Sequence, residues 1–293
     1  MRARQKKKQR MRRVTIYVTV LIIAVSLAVG VYFATTQGPS QLDKYDNVLV
    51  SSKVMSSLEA VSAQPYGPAP SSDMQSAVYK YGGPTFTSAG KPTIVFISAE
   101  YCPFCAIERW ALVMALDRFG NLSSLHYSTA ANDEGDYATF TFLNSTYTSN
   151  YISFRNFETA NRASPPAALQ AVPSNYSTVW GSFGGGVPFL DFANAYVIKV
   201  SLLAFPDILG GNNWTQIVTS ISTSDSTGLQ IRQAANMITS VICKVTGGLP
   251  ASVCSAPPII TSTSSISGPA PAALAIGTTY QAPMRRIGAG RPG

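Results

Sequence analysis

Two cysteines of the chain, Cys102 and Cys105, stand in the sequence Cys-Pro-Phe-Cys. At the start of a helix this spacing places both sulfur atoms on one face, close enough to form a disulfide. The free N–H groups and the dipole of the first helical turn favour a thiolate on the first cysteine. We therefore expect Cys102 to be the nucleophile in thiol–disulfide exchange, and Cys105 to resolve the mixed disulfide.

The segments around this motif could hold it in that position. Thr93–Ser98 is a short, apolar, β-branched run, which is typical of a buried strand. Cys102–Phe119 has the pattern of an apolar helix that ends at Gly120, and Pro103 takes the first helical position, where a missing N–H costs nothing. A buried strand, a short joint, the dithiol and a long apolar helix follow one another in the order that the thioredoxin arrangement requires.

A second apolar strand, Val187–Phe192, opens with a Val-Pro pair. In thioredoxin-like folds a cis-proline at such a position faces the dithiol and shapes the substrate groove, and X-Pro bonds are the main place where cis peptides occur. We expect Pro188 to align the client backbone, and Phe104 and Val187 to line the groove. An ordinary proline at the start of a strand is the alternative.

The sequence departs from the wider thioredoxin pattern at two points. Phe96 occupies the position before the dithiol where many thioredoxins keep a buried acid, so the proton relay to the second thiol must differ. Glu100 and Glu108 could substitute for that acid, although an exposed helix face is the alternative explanation for both. The segment between the dithiol and Pro188 is longer than a minimal thioredoxin needs, which predicts an inserted β element around Thr139–Glu158.

Cys243 and Cys254 form a second pair, and the residues between them include two glycines and a proline. This spacing fits a helix, a turn and a returning chain that are bridged by a structural disulfide worth about 2–3 kcal/mol. Zinc shared by all four cysteines is the rival interpretation. The second pair lacks the spacing of a zinc knuckle and His126 is the only histidine, so we expect no metal site.

The N-terminus has the composition of a membrane anchor. Eight of the first thirteen residues are basic and none is acidic, and Val14–Ala34 then runs for 21 residues without a charge. Such a run spans about 30 Å, the thickness of a bilayer core. The positive-inside rule places residues 1–13 in the cytoplasm and the chain after Gln37 outside. A cleaved signal peptide and a nucleic-acid-binding arm are the alternatives; we expect a retained anchor and no nucleic acid.

The predicted fold class is α/β: a thioredoxin-like domain with an inserted β element, preceded by one N-terminal transmembrane helix. Hydrophobic residues make up 46% of the chain, which is enough for a substantial core. The predicted segments are a basic cytoplasmic tail (1–13), a transmembrane anchor (14–34), a linker with N-terminal helices (35–90), the thioredoxin-like domain (91–254) and a disordered low-complexity tail (255–293).

Periodicity predicts further elements on either side of the dithiol. The expected helices are Tyr45–Ala63, Asp73–Tyr81, Trp214–Ile221 and Gly228–Val245. The expected strands are Ser124–Thr129, Thr139–Leu143, Tyr151–Glu158 and Tyr196–Leu203, the last as a hairpin partner of Val187–Phe192.

Several stretches carry a family resemblance: YCPFCAIERWALVMALDRFGNL (101–122), YTSNYISF (147–154), VPFLDF (187–192), NWTQI (213–217) and ANMITSVICKVTGGLPASVC (235–254). Through them the segment from Asp46 to Cys254 resembles an uncharacterised family of archaeal membrane-anchored proteins, catalogued only as a domain of unknown function. The resemblance implies a thioredoxin-like fold and a tether, but no established substrate.

Two functions are therefore open. The first is a membrane-tethered, extracytoplasmic thiol–disulfide oxidoreductase that needs no bound cofactor. Its partners would be the membrane, the protein thiols or disulfides of exported clients, and an unidentified redox recycling partner. The second is a non-catalytic envelope-binding or structural protein on the same scaffold, in which the Cys102–Cys105 pair is a structural disulfide.

Overall fold

The computed structural model describes residues 42–63, 66–132 and 135–266. The chain divides into two compact units, Met1–Lys44 and Tyr45–Gly293, and all the α-helices and strands described below belong to the second. The predicted anchor, Val14–Ala34, lies outside the described residues. Within them, no helix is both long enough and apolar enough to cross a membrane.

Helices and strands are labelled in chain order. The strands are β1 Val78–Lys80, β2 Thr87–Ser88, β3 Lys91–Ser98, β4 Gly120–Ser123, β5 His126–Asn132, β6 Gly135–Thr141, β7 Thr146–Ser149, β8 Ser153–Glu158, β9 Phe189–Phe192 and β10 Tyr196–Ile198. The α-helices are α1 Ser52–Ala63, α2 Ser72–Ser76, α3 Pro103–Asp117, α4 Ser174–Ser182, α5 Trp214–Thr223, α6 Ser226–Val245, α7 Ala251–Cys254 and α8 Pro257–Ser265. Short 3-10 helices are found at Asp43–Tyr45 and Pro206–Leu209.

A mixed six-stranded sheet contains the strand that leads to the dithiol. That strand, β3, has β8 as a parallel neighbour on one side and β9 as an antiparallel neighbour on the other. β10 returns antiparallel to β9, as the sequence predicts for a hairpin, and β1 pairs with β10 at the edge. The short strand β2 folds back antiparallel on the start of β3. The predicted α/β class is confirmed at this level: helices and a mixed sheet in one compact unit.

Both faces of β3 are covered, which explains why its sequence is apolar without alternation. Val95 and Ile97 project from one face and pack with Val179 of α4. Phe96, which stands where many thioredoxins have a buried acid, is fully buried and packs its ring edge-on against Phe142 at 5.8 Å between centroids.

Helix α3 is buried along most of its length. All of its residues from Cys105 to Leu116 are buried. A helix that is buried on every side needs neighbours on every side, and α1, α6 and the β5–β6 hairpin pack against it. Trp110 shows this directly, because its Nε1–H donates to the Ala138 carbonyl at 2.9 Å and its ring lies 4.5 Å from that of Phe140.

The inserted β element lies between α3 and β8. β5 and β6 form an antiparallel hairpin in which His126 is opposite Thr141, and β4 and β7 form a second, shorter ladder. The element therefore begins at Gly120, earlier than the predicted 139–158. Its contacts with α3 show that it covers the dithiol helix.

Several predicted boundaries were wrong. The helix predicted over Asp73–Tyr81 ends at Ser76, because the β-favouring residues that follow pair with β10 as β1. β1 and β2 both precede residue 91, so the predicted domain boundary falls inside the compact unit. The helix predicted from Tyr45 begins at Ser52, and the strand predicted to Leu203 ends at Ile198.

The C-terminal tail also differs from the prediction. Pro257–Ser265 is a helix that begins with a proline pair, a normal helix start. It packs against α6, and its Ile259 is fully buried. The low-complexity composition of the tail gave no indication of the short apolar face of this helix. Residues 267–293 lie outside the described part of the chain.

Candidate dithiol site

The dithiol lies at the connection between β3 and α3. β3 ends at Ser98, and after a short joint Cys102 is the N-cap residue of α3, with Pro103 at the helix start. The Cys102 N–H donates to the Ala99 carbonyl at 3.2 Å, which closes the joint. This is the local geometry that the sequence predicts.

The two sulfur atoms differ sharply in their surroundings. The Cys102 Sγ accepts a hydrogen bond from the backbone N–H of Cys105 at 3.2 Å, and the residue retains 6% exposure. Cys105 is completely buried. Both side chains are free thiols in the structure. Solvent therefore reaches only the first cysteine.

Electrostatics separate the two thiols in the same direction. The pKa of Cys102 is lowered, chiefly by the hydrogen bond with the Cys105 side chain, and the N–H of Cys105 and the charge of Arg109 act with it. The pKa of Cys105 is raised well above its ordinary value by burial, and the hydrogen bond with Cys102 adds to this effect. Such a difference suits an attacking and a resolving thiol.

Val187 and Pro188 are brought to the dithiol from a distant part of the chain. The Cys102 thiol lies 3.9 Å from the Val187 carbonyl oxygen, and the Val187–Pro188 peptide bond is cis. Val187 packs, with Ala160, against the small cluster of Ala99, Cys102 and Cys105. The ring of Phe104, in the first turn of α3, is 44% exposed.

A buried ion pair beside the dithiol was missed by the sequence interpretation. Arg109 donates from Nη2 to Glu158 Oε2 at 2.7 Å and from Nε to Glu158 Oε1 at 3.3 Å, and both side chains are fully buried. Burial lowers the pKa of Arg109, but the charge of Glu158, the hydrogen bond with Glu158 and the two cysteines together outweigh burial, so the pKa is raised. One signal was available: Arg109 stands four residues after Cys105, which places both on one face of the helix.

The two acids proposed as relays, Glu100 and Glu108, do not lie on an exposed helix face, so that alternative was wrong. Glu100 is buried in the joint and accepts a hydrogen bond from Thr141 Oγ1 at 3.0 Å, and burial raises its pKa. Glu108 is fully buried and accepts from Ser201 Oγ at 3.0 Å and from the Leu202 N–H at 2.9 Å. Burial raises the pKa of Glu108 to about 7.

The second cysteine pair forms its own bridge. Cys243, near the end of α6, is joined to Cys254 at the end of α7, with 5.6 Å between the Cα atoms. Among residues 42–63, 66–132 and 135–266 there is no group of three or more histidine, cysteine or acidic side chains that could hold a metal ion. The four cysteines are therefore arranged as two separate pairs.

No curated protein and no solved structure shows significant similarity to the chain. One family does: residues 77–172 match the family described as Domain of unknown function (DUF929). The matched segment runs from β1 to the loop before α4, so it includes the dithiol, Arg109 and Glu158 but not Pro188 or the second cysteine pair. Over residues 77–172, the chain thus contains a DUF929 domain.

Proposed function

We propose that the chain is a membrane-tethered, extracytoplasmic thiol–disulfide oxidoreductase that acts on exported proteins through Cys102 and Cys105. The observation that carries the proposal is the place of Cys102 at the N-cap of α3, where its sulfur accepts the Cys105 N–H at 3.2 Å. That is the position in which a thiol is made nucleophilic by a helix terminus.

A thioredoxin-like fold is part of the proposal. Three features support it: the parallel and antiparallel neighbours of β3, the antiparallel hairpin β9–β10, and the Val187-Pro188 pair facing the dithiol. The inserted β element packs on α3, and the half-buried Val187 borders Cys102, so we expect a client chain to approach from the Val187 side.

The proposed reaction is a two-electron exchange of disulfides. A client thiolate attacks Cys102 Sγ of the oxidised pair, the Cys102–Cys105 bond breaks, and Cys105 leaves as a thiolate that takes up a proton. A second client thiolate then attacks the client sulfur of the mixed disulfide and releases Cys102. The client is oxidised to a disulfide and the enzyme is reduced to a dithiol; the reverse sequence reduces a client. The direction depends on the potentials of the couple and of a recycling partner.

The tether and the cellular location rest on the sequence. The basic segment 1–13 and the uncharged Val14–Ala34 support a single span with its N-terminus in the cytoplasm and the Tyr45–Gly293 unit outside. An origin in an archaeal membrane-anchored family is proposed on the sequence stretches that resemble it. Exported proteins with cysteines are then the accessible clients, and no role in nucleic-acid binding is proposed.

Trapping of mixed disulfides tests the reaction. Cys105→Ser in the full-length chain removes the resolving thiol, so clients should accumulate on Cys102 and run as adducts on non-reducing gels. Cys102→Ser is the matched control and should trap few, because Cys105 is fully buried. Equal trapping by the two variants, or none by either, would contradict the proposed roles.

One observation favours a second candidate, a non-catalytic binding or structural protein. Cys102 is only 6% exposed and Cys105 is completely buried, as structural cysteines often are. In that case the pair would resist mild reductants and yield no trapped clients.

A further inference from the structure

We propose that Arg109 and Glu158 are positioning residues for the dithiol: Glu158 fixes the Arg109 guanidinium beside the two cysteines, and the guanidinium stabilises their thiolate forms. This inference deepens the proposed function and rests on it only in requiring a reactive dithiol.

The carboxylate is held from more than one side. Glu158 is the last residue of β8, opposite Ser98 at the end of β3, and Ser98 Oγ donates to its Oε2 at 2.7 Å. Its backbone N–H donates to Gln170 Oε1 at 2.7 Å. Both strand ends lie where the chain turns into the dithiol joint. The carboxylate is therefore fixed at the end of β8, beside the end of the strand that leads to Cys102.

The guanidinium is oriented by this anion. Nε and Nη2 bind the two carboxylate oxygens, and Nη2 also donates to the Ala99 carbonyl at 3.0 Å. Ala99 is the residue whose carbonyl accepts the Cys102 N–H. A planar guanidinium held through both Nε and Nη2 cannot rotate away from the segment that carries the dithiol. The cation therefore stays with the dithiol when a client binds or leaves.

One donor of Arg109 is unused. Nη1 is buried and has no hydrogen-bond partner in the described part of the chain. Leaving a buried charged donor unpaired is costly, and Cys105 lies one helical turn before Arg109 on the same face. A thiolate at the dithiol is an acceptor of the right charge. The unpaired N–H thus points to a group that becomes anionic during the reaction.

Arg109 is the charged group near the dithiol that favours the thiolate forms of the two cysteines. The titratable groups around the dithiol are Glu100 and Tyr101 in the joint, Arg109 on α3 and Glu158 on β8. Arg109 lowers the pKa of both Cys102 and Cys105, although burial and the neighbouring thiol keep that of Cys105 raised. Arg109 is the group whose charge can assist a fully buried thiol to ionise.

The step that needs this assistance is resolution of the mixed disulfide. Cys105 loses its proton and its thiolate attacks Cys102 Sγ, the bond between Cys102 and the client sulfur breaks, and the client leaves as a thiolate that takes up a proton. The Cys102–Cys105 disulfide forms as the client sulfur is reduced. A fixed cation beside Cys105 stabilises the thiolate that begins this step.

The pH dependence of Cys102 alkylation by iodoacetamide, in the reduced full-length chain, tests the inference. Arg109→Met removes the cation, so the midpoint of the profile should move to higher pH, with the rate below it falling by about tenfold. Glu158→Gln removes the anion that orients the guanidinium and keeps the shape of the side chain, so the midpoint should also move to higher pH but by less, with a rate about threefold lower. A purely structural role would lower the folded fraction of both variants without moving the midpoint of the profile.

Asp117→Asn is the matched control, since it neutralises a carboxyl at the opposite end of the same helix, where its partner is the Ser62 hydroxyl. It should leave the midpoint in place. A midpoint that stays in place in Arg109→Met, or shifts no larger than that of the control, would overturn the inference. Should Arg109→Met fail to fold, Glu158→Gln decides alone, and a midpoint that stays in place or moves to lower pH overturns the inference. Failure of the oxidoreductase proposal would be seen separately, as absent client trapping by Cys105→Ser.

Discussion

The buried carboxyl group of Glu108 should give the folded chain an unusual dependence of stability on pH. Its side chain is fully buried in α3, Oε2 accepts two hydrogen bonds, and Oε1 has no partner among the described residues. Burial raises its pKa from 4.5 to about 7. The proton is therefore bound more tightly in the folded chain than in the unfolded chain. The free energy of unfolding must fall as the pH rises through the interval between these two values.

The magnitude follows from the same shift. Each pKa unit corresponds to about 1.4 kcal/mol, so the change from 4.5 to about 7 corresponds to about 3 kcal/mol. Below pH 4.5 the group is neutral in both states and contributes nothing. Above pH 7 the folded state carries the full penalty of a buried carboxylate. Glu108→Gln keeps the shape and the acceptor oxygen but cannot ionise, so the penalty is removed.

Urea unfolding of wild type and Glu108→Gln at pH 5 and pH 8 measures this effect. The variant should gain about 2–3 kcal/mol over wild type between the two pH values. Asp73→Asn, which changes an exposed acid in the first turn of α2, should show no such gain. A difference between variant and wild type that is the same at both pH values would refute the assignment of a raised pKa to Glu108.

Two further predictions concern the second cysteine pair and the membrane topology. Mass spectrometry of non-reduced peptides should show Cys243 linked to Cys254, and the double serine variant should lose about 2–3 kcal/mol of unfolding free energy; two free thiols, or a link to Cys102, would be incompatible with the bridge. External protease on intact cells should destroy the 40–254 region, since the basic residues before Val14 orient the N-terminus inwards. Full protection of that region would contradict the proposed topology.

The sequence predicts correctly those features of the site that depend only on residues close together in the chain. The N-cap place of Cys102 follows from an apolar strand, a short joint and a proline at the helix start, and all of these are visible within a few residues. The cis form of the Val187–Pro188 bond also agrees with the expectation. Each feature depends on a few neighbouring residues.

The features that the sequence did not predict depend on contacts between segments that are far apart in the chain. Arg109 and Glu158 are 49 residues apart, and no local pattern says that β8 will lie beside β3 with Glu158 at the level of Ser98. Glu108 was assigned a possible exposed face because charged residues normally lie on the surface; the segment after β10 covers it instead. The short strand β1 was read as helix because only its pairing with β10 makes it a strand.

The redox potential of the Cys102–Cys105 couple tests the central proposal most directly. The full-length chain is equilibrated with a series of glutathione buffers, and the two thiols are quantified by alkylation and mass spectrometry, with the Cys243–Cys254 peptide as the internal reference. A catalytic pair should have a potential above about −300 mV, the region below which structural disulfides typically fall. A potential well below that value, together with resistance to mild reductants, would show that Cys102–Cys105 is a structural disulfide and would contradict the oxidoreductase account.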